Sequence, residues 1–184
     1  MNLNEPGQRR PDGPTRIVPA EERHLPDILE VFNEVVLNTT AVYTDTPETL
    51  EQRTRWYCER RALGYPVLVA EDGAGRALGF SSFTDFRPNW PGFRHTVEHS
   101  VHIHQDARGQ GLGRHLVTGL VEEAEGLGKH VMLASVDAAN LPSIRMHERL
   151  GFARVALLPQ VGCKFGRWLD LIMLQKVLSG APPR

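Results

Sequence analysis

Three glycines at alternate positions, Gly109, Gly111 and Gly113, lie between two arginines, Arg108 and Arg114. Glycine adopts backbone conformations with positive φ and lets the main chain approach a bulky ligand closely. An apolar run with helical spacing follows directly, so the unpaired N–H groups and the positive end of a helix dipole point at this turn. The pattern therefore predicts a binding site for phosphate groups.

Two common phosphate-binding motifs do not fit this turn. The dinucleotide fingerprint G-x-G-x-x-G needs its third glycine where Arg114 stands. The P-loop needs a Gly-Lys-Ser/Thr sequence, and none follows. What fits is Arg108-x-x-Gly111-x-Gly113 between a strand and a helix. An ordinary glycine-rich turn without a ligand is the alternative.

A second pattern, Asn140-x-x-Ser143-x-x-x-His147 followed by Gly151-Phe152, lies in the C-terminal half. An asparagine side chain is both donor and acceptor, so it can hold an amide group of a ligand. An imidazole can donate a proton to a departing group near neutral pH. A purely structural role for His147 in its helix is the alternative, and the sequence leaves both open.

Glu98, on the strand that leads into the glycine turn, is the candidate general base. Residues 96–104 alternate between apolar and polar positions, as a strand with one buried face does. The alternation places Glu98, Ser100, His102 and His104 on one face, and Val97, His99, Val101 and Ile103 on the other. A carboxylate here can reach a proton on a substrate beside the phosphate site, as a general base must. A solvated strand glutamate is the alternative.

A metal site is a competing interpretation of the same strand. His102 and His104 share a face, and Asp106 follows them. No motif supplies a third ligand, and a strand of histidines along a ligand groove explains the pattern without an ion. We therefore expect no metal.

The elements that position these residues follow from hydrophobic periodicity. We predict strands at 16–18, 66–71, 77–83, 96–104, 131–136, 152–158 and 168–177, and helices at 25–36, 46–63, 112–124 and 140–150. The second helix is expected to begin at Thr46-Pro47. The order β-α-α-β-β-β-α-β-α-β-β predicts an α/β (α+β) fold, with a mixed, mostly antiparallel sheet and helices on both faces.

Length and composition narrow the class of protein. The chain has 184 residues, of which 41% are apolar, and this suits a single core. We expect one domain at residues 15–178, a flexible tail at 1–14 and a flexible end at 179–184. A net charge of −1 gives no reason to expect nucleic acid. No apolar run is long enough to span a membrane, and no signal peptide begins the sequence. Two cysteines are too few for a disulfide framework, which favours a reducing, cytoplasmic location.

Together, the glycine turn and the Asn140–Phe152 helix resemble the motifs of the GNAT N-acetyltransferases, over roughly residues 16–178. The resemblance implies acetyl-CoA as co-substrate, its pyrophosphate on the loop amides, Glu98 as base and His147 where the family often has a tyrosine that protonates the thiolate. The implied acetyl-CoA contacts are Val101, His102, Ile103, Arg108, Gly109, Gln110, Gly111, Leu112, Gly113, Arg114, Asn140 and Ser143.

Residues 93–103, 145–148 and 161–170 resemble the phosphinothricin/methionine sulfoximine acetyltransferase branch of that family. This resemblance implies a small amino-acid-like amine as acceptor and a homodimer. The implied acceptor contacts are Arg87, Pro88, Asn89, Trp90, Arg94, Glu98, His99 and Ser100. For the acceptor carboxylate, the candidate cations are Arg87, Arg94, Lys164 and Arg167.

Two other functions stay open at the level of sequence. The acceptor could be a protein N-terminus or a lysine side chain, which requires the aromatic loop at 85–93 to leave an open groove. The chain could also be a non-catalytic acyl-CoA sensor, which the presence of Glu98 disfavours.

Overall fold

The computed structural model describes residues 13–178, which form seven β-strands and four α-helices. The strands are β1 (Arg16–Pro19), β2 (Val67–Glu71), β3 (Ala77–Asp85), β4 (Thr96–Ile103), β5 (Val131–Asp137), β6 (Ala153–Lys164) and β7 (Arg167–Val177). The helices are α1 (Leu25–Asn38), α2 (Leu50–Ala62), α3 (Leu112–Gly126) and α4 (Leu141–Arg149). The predicted order of elements is confirmed. Apart from Gly13 and Pro14, the expected flexible ends at 1–14 and 179–184 lie outside the described residues.

The described strands form one sheet in the order β1-β2-β3-β4-β5-β7-β6. Neighbouring strands are antiparallel except for β4 and β5, which are parallel. This confirms the expected mixed, mostly antiparallel sheet. None of the helices in residues 13–178 has both the length and the apolar character that crossing a membrane requires.

Alternating side chains of the strands enter two separate cores, one on each face of the sheet. In β2, Val67 and Val69 pack with residues of α1 and α2, whereas Leu68 and Ala70 pack with residues of α3 and α4. This two-residue period is what a strand buried on both faces produces. Helices therefore cover both faces of the sheet, as expected.

Helix α2 begins at Leu50, later than the predicted start at Thr46-Pro47. Thr49 is its N-cap and forms a capping box with Gln52. Each side chain accepts a hydrogen bond from the backbone N–H of the other residue, which fixes the start of the helix at this position. The side chain of Asn33 on α1 binds both the N–H and the C=O of Glu48, at 2.8 and 2.9 Å. These bonds hold the preceding residues as an extended connection against α1.

Strands β6 and β7 form a ribbon that is longer than predicted. Strand β6 continues to Lys164 through a register shift between Leu158 and Gly162. The outer half of the ribbon extends beyond β5, since β5 pairs with β7 only from Leu171 onward. A two-residue turn at Phe165 and Gly166, both with positive φ, connects the two strands.

Candidate active site

Strands β4 and β5 pair only over part of their length and then diverge. The parallel pairing covers Thr96–His99 of β4 and residues 131–134 of β5. Beyond it, β4 stays paired with β3 and β5 stays paired with β7. The divergence opens a cavity of about 930 Å³ in which Val101, His102 and Ile103 form one wall. Its volume lies within the range typical of small-molecule sites.

The glycine turn forms one end of this cavity. Gly109 and Gly111 have φ of 79° and 81°, and Gly111 is the N-cap of α3. A Cβ at either position would meet no atom within 4 Å, so the backbone conformation is what requires glycine there. Gly113 is different, because a Cβ there would lie 3.1 Å from the sulfur of Met146 on α4. It allows α3 and α4 to approach each other.

Cationic side chains line the cavity near this turn. Arg108, Arg114, Arg149 and Arg167 all contribute to its wall. Arg108 is held by protein groups, since its Nε donates to the Ile103 carbonyl at 3.1 Å and its Nη2 lies 2.5 Å from the Glu34 carboxylate. An excess of cations over carboxylates favours an anionic ligand.

Helix α4 supplies the opposite wall with Asn140, Ser143 and Met146. Asn140 caps the helix, and its Oδ1 accepts a hydrogen bond from the Ser143 N–H at 3.2 Å. The amide NH₂ of Asn140 remains as a donor for a ligand carbonyl. Of the predicted loop contacts, Gly109, Gly111, Leu112, Gly113 and Arg114 line the cavity. The side chain of Gln110 is outside the lining and is directed back toward the Asp106 carbonyl at 3.5 Å.

Glu98 lies on β4 just before the two strands diverge. It is half-buried, and its Oε1 accepts a hydrogen bond of 2.5 Å from the hydroxyl of Ser135 on β5. Ser100, two residues further on the same face, is exposed although β4 is a central strand. The Glu98 face of the sheet is therefore open to solvent at Ser100, and neither residue is among those that line the cavity.

His99 and His147 lie together in the core, away from the cavity lining. Their Nε2 atoms are 3.2 Å apart, and the Phe152 ring packs against both imidazoles. The Nδ1 of His147 lies 2.8 Å from the Ser143 carbonyl. His99 was expected at the acceptor site, but strand alternation directs it to the opposite face from Glu98. His147 was expected to protonate the thiolate, but its ring is on the buried face of α4.

The expected acceptor loop also lies outside the cavity. Arg87, Pro88, Asn89 and Trp90 connect β3 to β4 and are exposed, as is Arg94. The Arg87 guanidinium stacks on neighbouring aromatic rings of the same loop. This loop is at the opposite end of β4 from the glycine turn, so a single chain does not bring it to the cavity.

Part of the cavity lining comes from residues that the sequence analysis did not select. Thr39, Thr40 and Ala41, after α1, line it together with Asp137 and Phe165. The Thr40 hydroxyl bonds the Asp137 carboxylate and so joins the α1–α2 connection to the end of β5. Polar residues directly after a helix and at a strand end were the available signal, but only the fold shows that these segments meet.

Two candidates from the sequence analysis have protein partners instead. The Lys164 ammonium is buried and donates to the carbonyls of Val36 and Val42, at 2.6 and 2.8 Å. The histidines of the conceivable metal site are also engaged: His104 Nδ1 accepts from the Asp106 N–H, and the His102 ring packs on Phe80. Four cations were candidates for binding an acceptor carboxylate, and of these Arg167 is the one that lines the cavity.

The cavity suits a long, anionic, amide-containing ligand. It has a glycine loop and a helix N-terminus at one end, and an unpaired strand edge at Val101–Ile103 along its side. A side-chain amide faces this edge from α4. Phosphate groups fit the glycine loop and the helix N-terminus. Ligand amides fit the strand edge and the side-chain amide.

Comparison with known proteins agrees with this geometry. A profile of the acetyltransferase (GNAT) family matches residues 28–152. An L-methionine sulfoximine/L-methionine sulfone acetyltransferase from Pseudomonas paraeruginosa is 50% identical over 151 residues, 82% of this chain and 87% of the relative. The L-amino acid N-acyltransferase MnaT from Escherichia coli is 48% identical over 152 residues, which are 83% of this chain and 87% of MnaT.

A solved structure extends the match to the fold. The structure of yncA from Salmonella typhimurium with its cofactor acetyl-CoA superimposes with a TM-score of 0.90 at 44% identity. The match covers 94% of this chain and 98% of that one. The protein described here belongs to the GNAT family of acetyltransferases and is an enzyme of that class.

Proposed function

We propose that this enzyme transfers the acetyl group of acetyl-CoA to the primary amine of a small L-amino-acid-like acceptor of the methionine sulfoximine, methionine sulfone or phosphinothricin type. The observation that carries the proposal is the cavity between the diverging strands, with the glycine turn at one end and Glu98 where the strands part. The activities of relatives about 50% identical to this chain support the choice of acceptor.

The donor occupies the cavity from the glycine turn inward. Its pyrophosphate binds the N–H groups at the start of α3, with Arg114 beside it. Its pantetheine amides extend along Val101–Ile103 as an added strand, because this stretch of β4 has no β5 neighbour. Asn140 donates to a pantetheine carbonyl from α4. Arg108, paired with Glu34, holds the turn in shape.

Glu98 acts as the general base. An amino-acid amine is mostly protonated at neutral pH, so attack needs a group that takes up its proton. As Glu98 accepts this proton, the amine nitrogen forms a C–N bond to the acetyl carbon and the C–S bond breaks. Backbone N–H groups of β4, beyond the point where it diverges from β5, stabilise the acetyl carbonyl oxygen while it carries negative charge. The coenzyme A thiolate then leaves and takes up the second proton, which the acylated nitrogen loses, and Glu98 returns the first proton to water.

Transfer is direct, without an acyl-enzyme. Cys58 and Cys163 are both exposed thiols outside the cavity lining, and this supports a single displacement. Arg167 binds the acceptor carboxylate, since it is the proposed clamp that lines the cavity. His147 supports α4 from the core and does not touch the thiolate. The reduced cysteines agree with a cytoplasmic location.

We also propose that the enzyme is a homodimer. The outer half of the β6–β7 ribbon exposes apolar side chains on a strand at the edge of the sheet, and such surfaces mark association sites.

Coenzyme A release across a set of amines tests the proposed activity. The set contains L-methionine sulfoximine, L-methionine sulfone, L-phosphinothricin, L-methionine and a short peptide with a free N-terminus. We expect turnover with the free amino acids and none with the peptide. Turnover with the peptide alone would make the enzyme a peptide acetyltransferase. Tight acetyl-CoA binding without any turnover would make it a sensor.

The variant Glu98→Gln tests the base. It keeps the shape of the side chain but cannot take up the proton, so kcat should fall by about 100-fold or more while acetyl-CoA binding, measured by calorimetry, is unchanged. Glu51→Gln, on an exposed face of α2, is the matched control and should behave as the wild type. An unchanged kcat in Glu98→Gln near neutral pH would contradict the assignment.

A further inference from the structure

Ser135 is a polar residue in an otherwise apolar part of β5, the sequence Val131-Met-Leu-Ala-Ser-Val136. It is the first residue of β5 beyond the stretch that pairs with β4. Its hydroxyl reaches back across the divergence to Glu98 Oε1 at 2.5 Å. The bond therefore joins the two strands at the point where the cavity begins to open.

The direction of this hydrogen bond is fixed by chemistry. An ionised carboxylate only accepts, so the Ser135 O–H donates to Glu98. Hydrogen bonds to a charged acceptor are shorter and about twice as strong as neutral ones. Among residues 13–178, no other group hydrogen-bonds the Glu98 side chain. One carboxylate oxygen is thus held in place, and the other is left to take up a proton.

We propose that Ser135 is a positioning residue for the catalytic base. It orients the Glu98 carboxylate toward the acceptor amine through the hydrogen bond to Oε1. Ser135 itself touches none of the reacting atoms. This inference rests on the proposed function of Glu98, and it assigns to β5 a part in catalysis beyond forming a wall of the cavity.

The variant Ser135→Ala removes the donor and leaves the strand intact. We expect kcat to fall about tenfold, because the carboxylate rotates among its rotamers and the reactive orientation is less populated. The KM for the acceptor should stay within twofold of the wild type, because the lost bond acts on the base and not on the groups that bind the acceptor. The Kd for acetyl-CoA should stay within twofold of the wild type.

Two further variants separate positioning from a general structural effect. Ser135→Thr keeps a hydroxyl at the same place and should restore kcat. Thr54→Ala removes another hydroxyl, which bonds the Leu50 carbonyl of α2 at 2.8 Å outside the cavity lining, and should leave kcat at the wild-type value.

The outcomes are distinguishable from failure of the proposed function. A wild-type kcat in Ser135→Ala, with Glu98→Gln inactive, would overturn the role of Ser135 and leave the activity standing. An equal loss of kcat in Ser135→Ala and Thr54→Ala would also overturn it, because the effect would then be structural. A wild-type enzyme that acetylates none of the amines would overturn the proposed function instead.

Discussion

His99 and His147 show how a residue type with obvious chemical potential can serve packing. The Ser143 carbonyl accepts a hydrogen bond, so Nδ1 of His147 carries the proton. In the neutral ring the Nε2 of His147 is then an acceptor, and it accepts from the Nε2–H of His99. The remaining ring nitrogen of His99 is buried without a partner in the described part of the chain. Burial lowers the pKa of His99 to about 3, with the neighbouring imidazoles adding to the effect. The neutral pair therefore ties α4 to β4.

We predict that this pair makes the enzyme sensitive to acid. In the unfolded chain His99 takes up a proton below about pH 6.5, whereas in the folded protein it does so near pH 3. Its contribution to stability is thus complete above pH 6.5 and is lost progressively as the pH falls toward 3. Between pH 7 and pH 5 the loss from this residue is about 2 kcal/mol.

Urea unfolding at the two pH values measures this effect. The variant His99→Leu should be less stable than the wild type at pH 7, because His147 loses its donor, but its stability should change less between pH 7 and pH 5. His115→Leu changes an exposed histidine on α3 and should keep the wild-type pH dependence. The same loss of stability in His99→Leu as in the wild type would contradict the prediction.

At the scale of elements, the α1–α2 connection depends on contacts with the β6–β7 ribbon. The Lys164 ammonium binds the carbonyl of Val36 in the last turns of α1 and that of Val42 in the connection. The Tyr43 hydroxyl donates to the Asp170 carbonyl at 3.0 Å, and its ring lies directly on Gly162. These contacts hold in place the α1–α2 connection, which lines the cavity at Thr39, Thr40 and Ala41.

We predict that Lys164→Met raises the KM for the acceptor by about tenfold and leaves the Kd for acetyl-CoA unchanged. Two buried carbonyls lose their donor, at a cost of about 1–3 kcal/mol each, and the connection moves. Steady-state kinetics and calorimetry measure the two constants. Lys176→Met is the matched control, because Lys176 donates to the Leu150 carbonyl at the end of α4 in the same way.

Gly162→Ala tests the same contact without removing a charge. An added Cβ would overlap the Tyr43 ring and displace it, so the KM for the acceptor should rise here as well. If neither variant changes this KM relative to Lys176→Met, the connection does not shape the acceptor site.

The sequence analysis anticipated local features better than contacts between distant segments. The glycine turn, the helix expected at 140–150 and the alternation of β4 depend on neighbouring residues, and each is present. The start of α2 was misplaced because the bonds of Asn33 to Glu48 join separate elements. For the same reason, periodicity gave no sign of the bond between Ser135 and Glu98, nor of the partners of Lys164.

At the scale of the whole molecule, the described sheet exposes apolar side chains at its β6 end. The strand β6 is the last in the sheet, and nearly all of its residues are exposed. Leu157 and Val161 are each 56% exposed, and Trp168 on β7 is 68% exposed. An exposed apolar edge strand of this length pairs readily with another chain, and monomeric proteins avoid it. A second copy is the simplest partner, since like surfaces meet in a two-fold dimer.

We predict that the enzyme sediments as a dimer and that the double substitution Leu157→Lys with Val161→Lys converts it to a monomer. Two lysines on the exposed face of β6 place like charges opposite their symmetry copies and remove the apolar contact. Sedimentation velocity at micromolar concentration separates a chain of 20.6 kDa from its dimer. Leu127→Lys, an exposed apolar position after α3, should remain dimeric. A monomeric wild type, or a double variant that stays dimeric, would show that the β6 surface does not hold two copies together.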